Sequence, residues 1–470
     1  MVNARTFRAR HVGRRLAAAI FAATCTVPLA SYAADNASVF ATQHMVSAAN
    51  PFAARAGREI LRRGGSAVDA AIAVQMVLNV VEPQSSGIGG GAFLLHYDSN
   101  DRTVQAYDGR ETAPAAAMPE LFLDGSGKPL GFFQALVGGR AVGAPGVLRM
   151  LELAHQEHGL LPWRDLFRVA ITLSEDGFPI SPRLHGLIAN DKYLATYPDT
   201  RRYFYDADGT AKPIGRIMRN PALAETFRRI AAGGADAFYE GPIARSIVFA
   251  VRSAQDNPGL LSQADLANYE AKSRPPVCGR YLGFEVCGMP PPTSGGVTTL
   301  QILGVLQRTP FRRAAPGGTL AAHYVAEASR LAFADRGKYL ADPDFVDVPV
   351  SDLLDQSYLR QRARLISRTQ PMASVVPGTP PKRRAHNNIV GASHELPSTT
   401  HFSIVDKRGN AVSMTSSVEN VFGSRLMVGG FLLNNQLTDF SFAPEADGAL
   451  VANRVQPGKR PRSSMSPFIV

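Results

Sequence analysis

Between Ala67 and about Asn79 the chain reads Ala-Val-Asp-Ala-Ala-Ile-Ala-Val-Gln-Met-Val-Leu-Asn, apolar around nearly the whole circumference of a helix. A helix without a polar face cannot lie on a surface, so the fold has to bury this segment. Ser66 stands at its N-cap position and Glu82-Pro83 closes it. A shorter helix precedes it, opened by Pro51 after Asn50 and stopped by Gly64-Gly65. The 470 residues, 45% hydrophobic and 19% charged, are enough for a sizeable core in one large domain or in two to three ordinary ones.

The N-terminus has a different character. Arg5, Arg8, Arg10, Arg14 and Arg15 form a basic region with no acidic residue before Asp35. Leu16 to Ala23 is a short apolar stretch, and Ser31-Tyr32-Ala33 has the small residues of a cleavage site. Residues 1–33 are therefore expected to be a signal peptide, and the mature chain to be periplasmic or secreted. The alternatives are a disordered basic arm or a membrane anchor. Past this segment no run is long and apolar enough to span a bilayer. Losing five arginines takes the formal charge from +11 to about +6. The remaining basic residues are scattered, apart from Lys382-Arg383-Arg384, so nucleic-acid binding has no support.

Gly87 to Gly91 form a glycine-rich turn, followed by a strand from Ala92 to Tyr97 and an antiparallel partner from Thr103 to Tyr107. The run Gly87-Ile88-Gly89-Gly90-Gly91-Ala92 formally matches a dinucleotide fingerprint, but it follows a helix and precedes a strand, the reverse of what that site needs. From about 140 to 365 the chain is mainly helical, with segments such as Leu148–His158, Pro162–Glu175, Pro221–Ala231 and His323–Leu340. Cys25 falls in the signal. Cys278 and Cys287 flank a stretch with strand character on either side of Gly283, and a hairpin there would bring the thiols together. They form either a disulfide or two buried thiols, structural in both cases.

From Ser367 to Ser398 the composition turns to Pro, Ser, Gly and Ala, a linker expected to be mobile. It runs directly into His401–Val405 and Ala411–Ser416, two alternating strands around a Gly409-Asn410 turn. The first strand opens with Ser398-Thr399-Thr400. A threonine hydroxyl is a weak nucleophile without a base, but at a chain terminus its own α-amine can take the proton. Attack of Thr399 on the Ser398 carbonyl, followed by ester hydrolysis, would create that terminus.

Ser-Thr-Thr-His-Phe-Ser-Ile-Val-Asp at 398–406, Leu-Leu-Asn-Asn-Gln-Leu-Thr-Asp-Phe at 432–440 and Gly-Lys-Arg-Pro-Arg-Ser-Ser-Met-Ser-Pro at 458–467 closely resemble the γ-glutamyltransferase family. So do the blocks from Asn50-Pro51 to Ala71, Tyr107 to Pro114, and Pro291 to Gly296, in the same order. The resemblance implies an α+β fold, the N-terminal-nucleophile four-layer αββα sandwich with two central antiparallel sheets. It also implies a large subunit (34–398) and a small subunit (399–470, its N-terminal part), which are cut from one precursor and stay associated. Thr399 matches the nucleophile, Ser398–Thr399 the cleavage site, and Ser417 a second hydroxyl that hydrogen-bonds the nucleophile. Arg110, Ser463 and Ser464 match groups that hold an α-carboxylate; Glu419, Gln436 and Asp439 match groups that receive an α-ammonium. A guanidinium suits a carboxylate because it can grip both oxygens.

The implied activity is transfer of the γ-glutamyl group of glutathione and related amides to water, amino acids or peptides. Some members carry Asn where this chain has Glu419. The resemblance also predicts a further C-terminal segment holding a glycine pair whose N–H groups form an oxyanion hole. Two other readings stand beside it: a cephalosporin or glutaryl acylase of the same fold, and an unprocessed, inactive relic. No metal and no organic cofactor is expected, since His and Cys show no ligand spacing.

Overall fold

The computed structural model describes residues 40–381, 389–391 and 398–470. The expected signal peptide and the Lys382-Arg383-Arg384 cluster lie outside the described residues. The chain divides after Thr42, and the architecture belongs to the unit Gln43–Val470.

The apolar segment forms the helix Ala67–Val81, with every residue buried. Its N-terminus is a reciprocal capping box: Ser66 Oγ accepts from the Asp69 N–H, and the Asp69 carboxylate accepts from the Ser66 N–H. The Oδ2 atom of the same carboxylate also accepts from the Leu160 and Leu161 N–H groups at 3.0 and 3.1 Å, which offsets part of the cost of burying it in a mainly apolar helix.

Against this helix lies a six-stranded antiparallel sheet, ordered Met45–Ala48, Thr400–Val405, Ala411–Ser417, Gly91–Asp98, Thr103–Gly109, Lys272–Arg274. Strand alternation divides its side chains between two faces. Ala92, Leu94, Phe402, Ile404, Val412 and Met414 join the core around the buried helix. Phe93, Leu95 and Ala106 pack the other way, with Met289 and Met465. A second antiparallel sheet follows on that side, ordered Phe468–Ile469, Phe284–Gly288, Val277–Tyr281. Its Val277 and Val286 pack with Val297 and Leu300 of the helix Gly295–Leu306 and with Tyr339, Leu353 and Tyr358. The resulting succession of helices, sheet, sheet and helices is the expected αββα sandwich.

Four local features differ from or sharpen the sequence reading. The 162–175 segment is not one helix: a 3₁₀ turn, Trp163–Phe167, precedes the helix Arg168–Asp176, and the Trp163 indole N–H is engaged by the Ile230 carbonyl. The expected mobile linker is pinned in part. Met372 N–H donates to Glu327, Gly378 N–H to Asp335, and the Tyr339 hydroxyl to the Gly378 carbonyl. In the hairpin turn it is Asp406 that does the capping, accepting from the N–H groups of Arg408 and Asn410, while Gly409 supplies a φ of 87°. Cys278 and Cys287 sit directly opposite each other in their hairpin and form a disulfide, with Cα atoms 4.1 Å apart. Among the described residues no helix is long and apolar enough to cross a membrane.

Candidate active site

The same alternation that buries Phe402 and Ile404 turns Thr399, His401 and Ser403 to the opposite face. The neighbouring strand does likewise with Ser413, Thr415 and Ser417, because Val412 and Met414 enter the core and the register pairs His401 with Thr415. Glycines allow the approach of the chain beneath. At Gly90 an added Cβ would run into the Ser417 carbonyl oxygen, and at Gly89 into that of Leu432. The polar stripe opens on a cavity of about 490 Å³.

Arg110, Thr399, Ser417, Glu419, Gln436, Asp439, Ser463 and Ser464 all line this cavity. The sequence reading thus named eight residues, from segments more than 350 positions apart, that the fold gathers around one space. Ser398 is the exception; its side chain is buried and donates to the Gln84 carbonyl at 3.2 Å. A larger groove of about 1270 Å³, lined by Phe133, Tyr197, Phe249 and Met427 among others, brings together none of these groups.

At the 398–399 peptide, the Ser417 hydroxyl donates to the Ser398 carbonyl oxygen at 2.9 Å. Its oxygen accepts from the Glu419 N–H at 2.9 Å and from the Thr399 hydroxyl at 3.4 Å. With its acceptor side occupied, Ser417 has its hydrogen committed to that carbonyl.

The far wall carries charge. Arg110 is 1% exposed, and three fixed contacts hold it: Nε donates to the Pro461 carbonyl, Nη2 to the Arg462 carbonyl, and Nη2 to Asp439. Glu111 lies 3.6 Å from Arg110 Nη1, yet its carboxyl is pushed up to about 8, since burial outweighs the adjacent guanidinium. Both Glu111 oxygens lack a hydrogen-bond partner among the described residues. Glu419 is directed by an unusual backbone, with a φ of 75° two residues beyond the strand end at Ser417. Burial and then the nearby Asp439 push its carboxyl up to about 8, although Asn435 donates to it. Gln436 is also buried, with its carbonyl oxygen unpaired among the described residues. Of these acceptors Gln436 Oε1 lines the cavity without a partner among the described residues, whereas Glu111 lies outside the lining.

Sequence reasoning passed over several neighbours. His401 also lines the cavity, its Nδ1 2.8 Å from Thr415 Oγ1, and burial lowers its basicity. Asn435 and Glu111 adjoin recognised residues, but nothing in the local pattern marked them as parts of the site. Among the described residues no cluster of His, Cys, Asp or Glu could hold a metal.

An αββα sandwich with a cavity at the head of a central strand places the chain among the N-terminal-nucleophile hydrolases. The chain belongs to the gamma-glutamyltranspeptidase family, whose pattern it matches over residues 53–470. It is 37% identical over 433 residues to a glutathione hydrolase proenzyme of Bacillus subtilis, an alignment covering 91% of this chain and 72% of that relative. Among solved structures it is similar to the Helicobacter pylori gamma-glutamyltranspeptidase, with a TM-score of 0.71, 31% identity, and coverage of 74% of this chain and 99% of the other. It also resembles a cephalosporin acylase from Bacillus halodurans, with a TM-score of 0.73 and 28% identity, covering 92% and 75% respectively.

Proposed function

We propose that this chain is an exported, self-processing γ-glutamyltransferase and hydrolase that acts on glutathione and related γ-glutamyl amides, with Thr399 as nucleophile. The observation that supports the reading is one cavity lined by Thr399, a guanidinium, two serine hydroxyls and a set of carboxyl and amide acceptors. Arg110, Ser463 and Ser464 receive the α-carboxylate, and Glu419, Gln436 and Asp439 receive the α-ammonium. The unpaired Gln436 oxygen, beside the Glu419 and Asp439 carboxyls, suits a cation with several N–H donors.

Processing starts with attack of Thr399 Oγ on the Ser398 carbonyl carbon. Negative charge develops on the Ser398 oxygen, where Ser417 already donates. The C–N bond breaks, the Thr399 nitrogen gains a proton, and the acyl group moves to Oγ as an ester. Water hydrolyses that ester, leaving a large subunit (34–398) and a small subunit that begins with a free Thr399 amine. In turnover this amine takes the proton of Thr399 Oγ as the hydroxyl attacks the γ-amide. The leaving amine departs, and water, an amino acid or a peptide then resolves the γ-glutamyl ester.

An acylase acting on glutaryl groups is the second reading, motivated by the likeness to the cephalosporin acylase. A glutaryl head has no ammonium to satisfy the acceptor wall, which favours the glutamyl head. The test has two parts. N-terminal sequencing of the exported protein should find a chain beginning Thr-Thr-His-Phe, and γ-glutamyl-p-nitroanilide should be cleaved in preference to glutaryl-p-nitroanilide. Preference for the glutaryl compound would replace this reading with the acylase, and a single unprocessed band would leave the chain as an inactive relic.

A further inference from the structure

Arg110 cannot hold the donor's α-carboxylate alone, because its Nε and Nη2 are already engaged by the Pro461 and Arg462 carbonyls and Asp439. We infer that Arg336, a residue outside the cavity lining, is a positioning residue that turns Ser464 into a dedicated donor for that carboxylate. The inference rests on the γ-glutamyl reading above and adds to it a residue that sets how tightly the donor's carboxylate is held.

Arg336 lies buried in the last turn of the helix Thr319–Tyr339. Its Nη2 donates to Ser464 Oγ at 2.8 Å and its Nε to Ser294 Oγ at 2.7 Å. A guanidinium only donates, so the direction of both bonds is certain. The Ser464 oxygen thus spends acceptor capacity on a cation, and its own hydrogen must be used elsewhere. Ser464 is exposed to the cavity, so that hydrogen is available to whatever occupies the space. Ser463 is treated in the same way, its Oγ accepting from the Met465 N–H at 3.0 Å. Two adjacent hydroxyls, both engaged by N–H donors, present O–H groups to a ligand that accepts and does not donate. A carboxylate meets that description; an ammonium does not.

Arg336 also fixes where these hydroxyls stand. Ser294, held by Arg336 Nε, passes its own hydrogen to the Ser463 carbonyl at 2.8 Å. In return, Arg462 Nη1 donates to the Arg336 carbonyl at 3.0 Å. The helix end and the serine-bearing segment therefore lock each other in place, and the cation acts on the ligand through Ser464.

The test compares Arg336→Gln and Arg336→Lys with wild type on two donors: γ-glutamyl-p-nitroanilide and its decarboxylated counterpart, 4-aminobutanoyl-p-nitroanilide. Each protein is first checked for a Thr399 N-terminus and for its melting temperature. With the γ-glutamyl donor, Arg336→Gln should raise KM about tenfold with a smaller effect on kcat, the loss expected for one charge-assisted contact. Arg336→Lys should recover part of that loss. With the donor that lacks a carboxylate the penalty should disappear. Equal losses on both donors, or failure of both variants to fold, would make Arg336 a structural residue and overturn the inference. No turnover of either donor by wild type removes the γ-glutamyl reading itself, a result distinct from either of those.

Discussion

Replacing Ser417 with alanine separates processing from folding. In the intact chain the Ser417 hydroxyl donates to the carbonyl that Thr399 attacks, at 2.9 Å. Loss of one donor to a developing oxyanion costs about 2.7–4 kcal/mol, so maturation of Ser417→Ala should slow by roughly 10²–10³-fold. The change also strips the Glu419 N–H of its acceptor, a stability cost of about 1–3 kcal/mol that a melting curve reads separately. Ser417→Thr keeps the hydroxyl and should mature within about tenfold of wild type, since it retains the donor. The assay is a denaturing-gel time course of purified precursor, with the new N-terminus sequenced as Thr-Thr-His-Phe. If the alanine variant matured at nearly the wild-type rate, Ser417 would not stabilise the tetrahedral intermediate, and the account of cleavage given above would be wrong.

Three further outcomes are expected. Glu111 and Glu419 carry folded-state carboxyls at about 8, above the ordinary carboxylate range, so the native state binds more protons than the unfolded chain between about pH 4.5 and 8. Stability should therefore fall as pH rises through that window, and Glu111→Gln or Glu419→Gln should flatten the dependence of melting temperature on pH; an unchanged profile in both would contradict the burial argument. Arg110→Lys keeps a charge but loses the planar fork, and it leaves Glu111 and Asp439 poorly compensated. It should lower kcat/KM for γ-glutamyl donors by about a hundredfold or more and destabilise by about 3–5 kcal/mol, measured by kinetics and denaturant unfolding. Gly90→Ala drives a methyl into the Ser417 carbonyl; overpacking of about 1–3 kcal/mol should appear as a lower melting temperature together with slower maturation.

Local sequence physics accounts for much of the fold. The all-apolar helix, its Ser66 cap, the 401–416 hairpin and the facing cysteines all followed from periodicity, capping chemistry and turn residues, which act over a few positions. These short-range terms missed distant contacts. Trp163 is held by the Ile230 carbonyl in a 3₁₀ turn where one continuous helix was expected, and within the Pro-rich stretch Met372 and Gly378 donate to Glu327 and Asp335. The candidate site was legible chiefly because its residues lie in blocks that resemble one family.

The sequence alone, through blocks that resemble one family, nominated the candidate residues: a Ser-Thr-Thr strand opening, an arginine, paired serines and a set of acceptors. Only the tertiary structure decided how they act. Strand register set Ser417 against the Ser398 carbonyl, and a left-handed residue aimed Glu419 into the cavity. Packing of a remote helix end put Arg336 behind Ser464. Burial then raised the carboxyls of Glu111 and Glu419, because a charge's cost depends on the dielectric and partners that surround it, and neither is encoded in nearest neighbours along the chain.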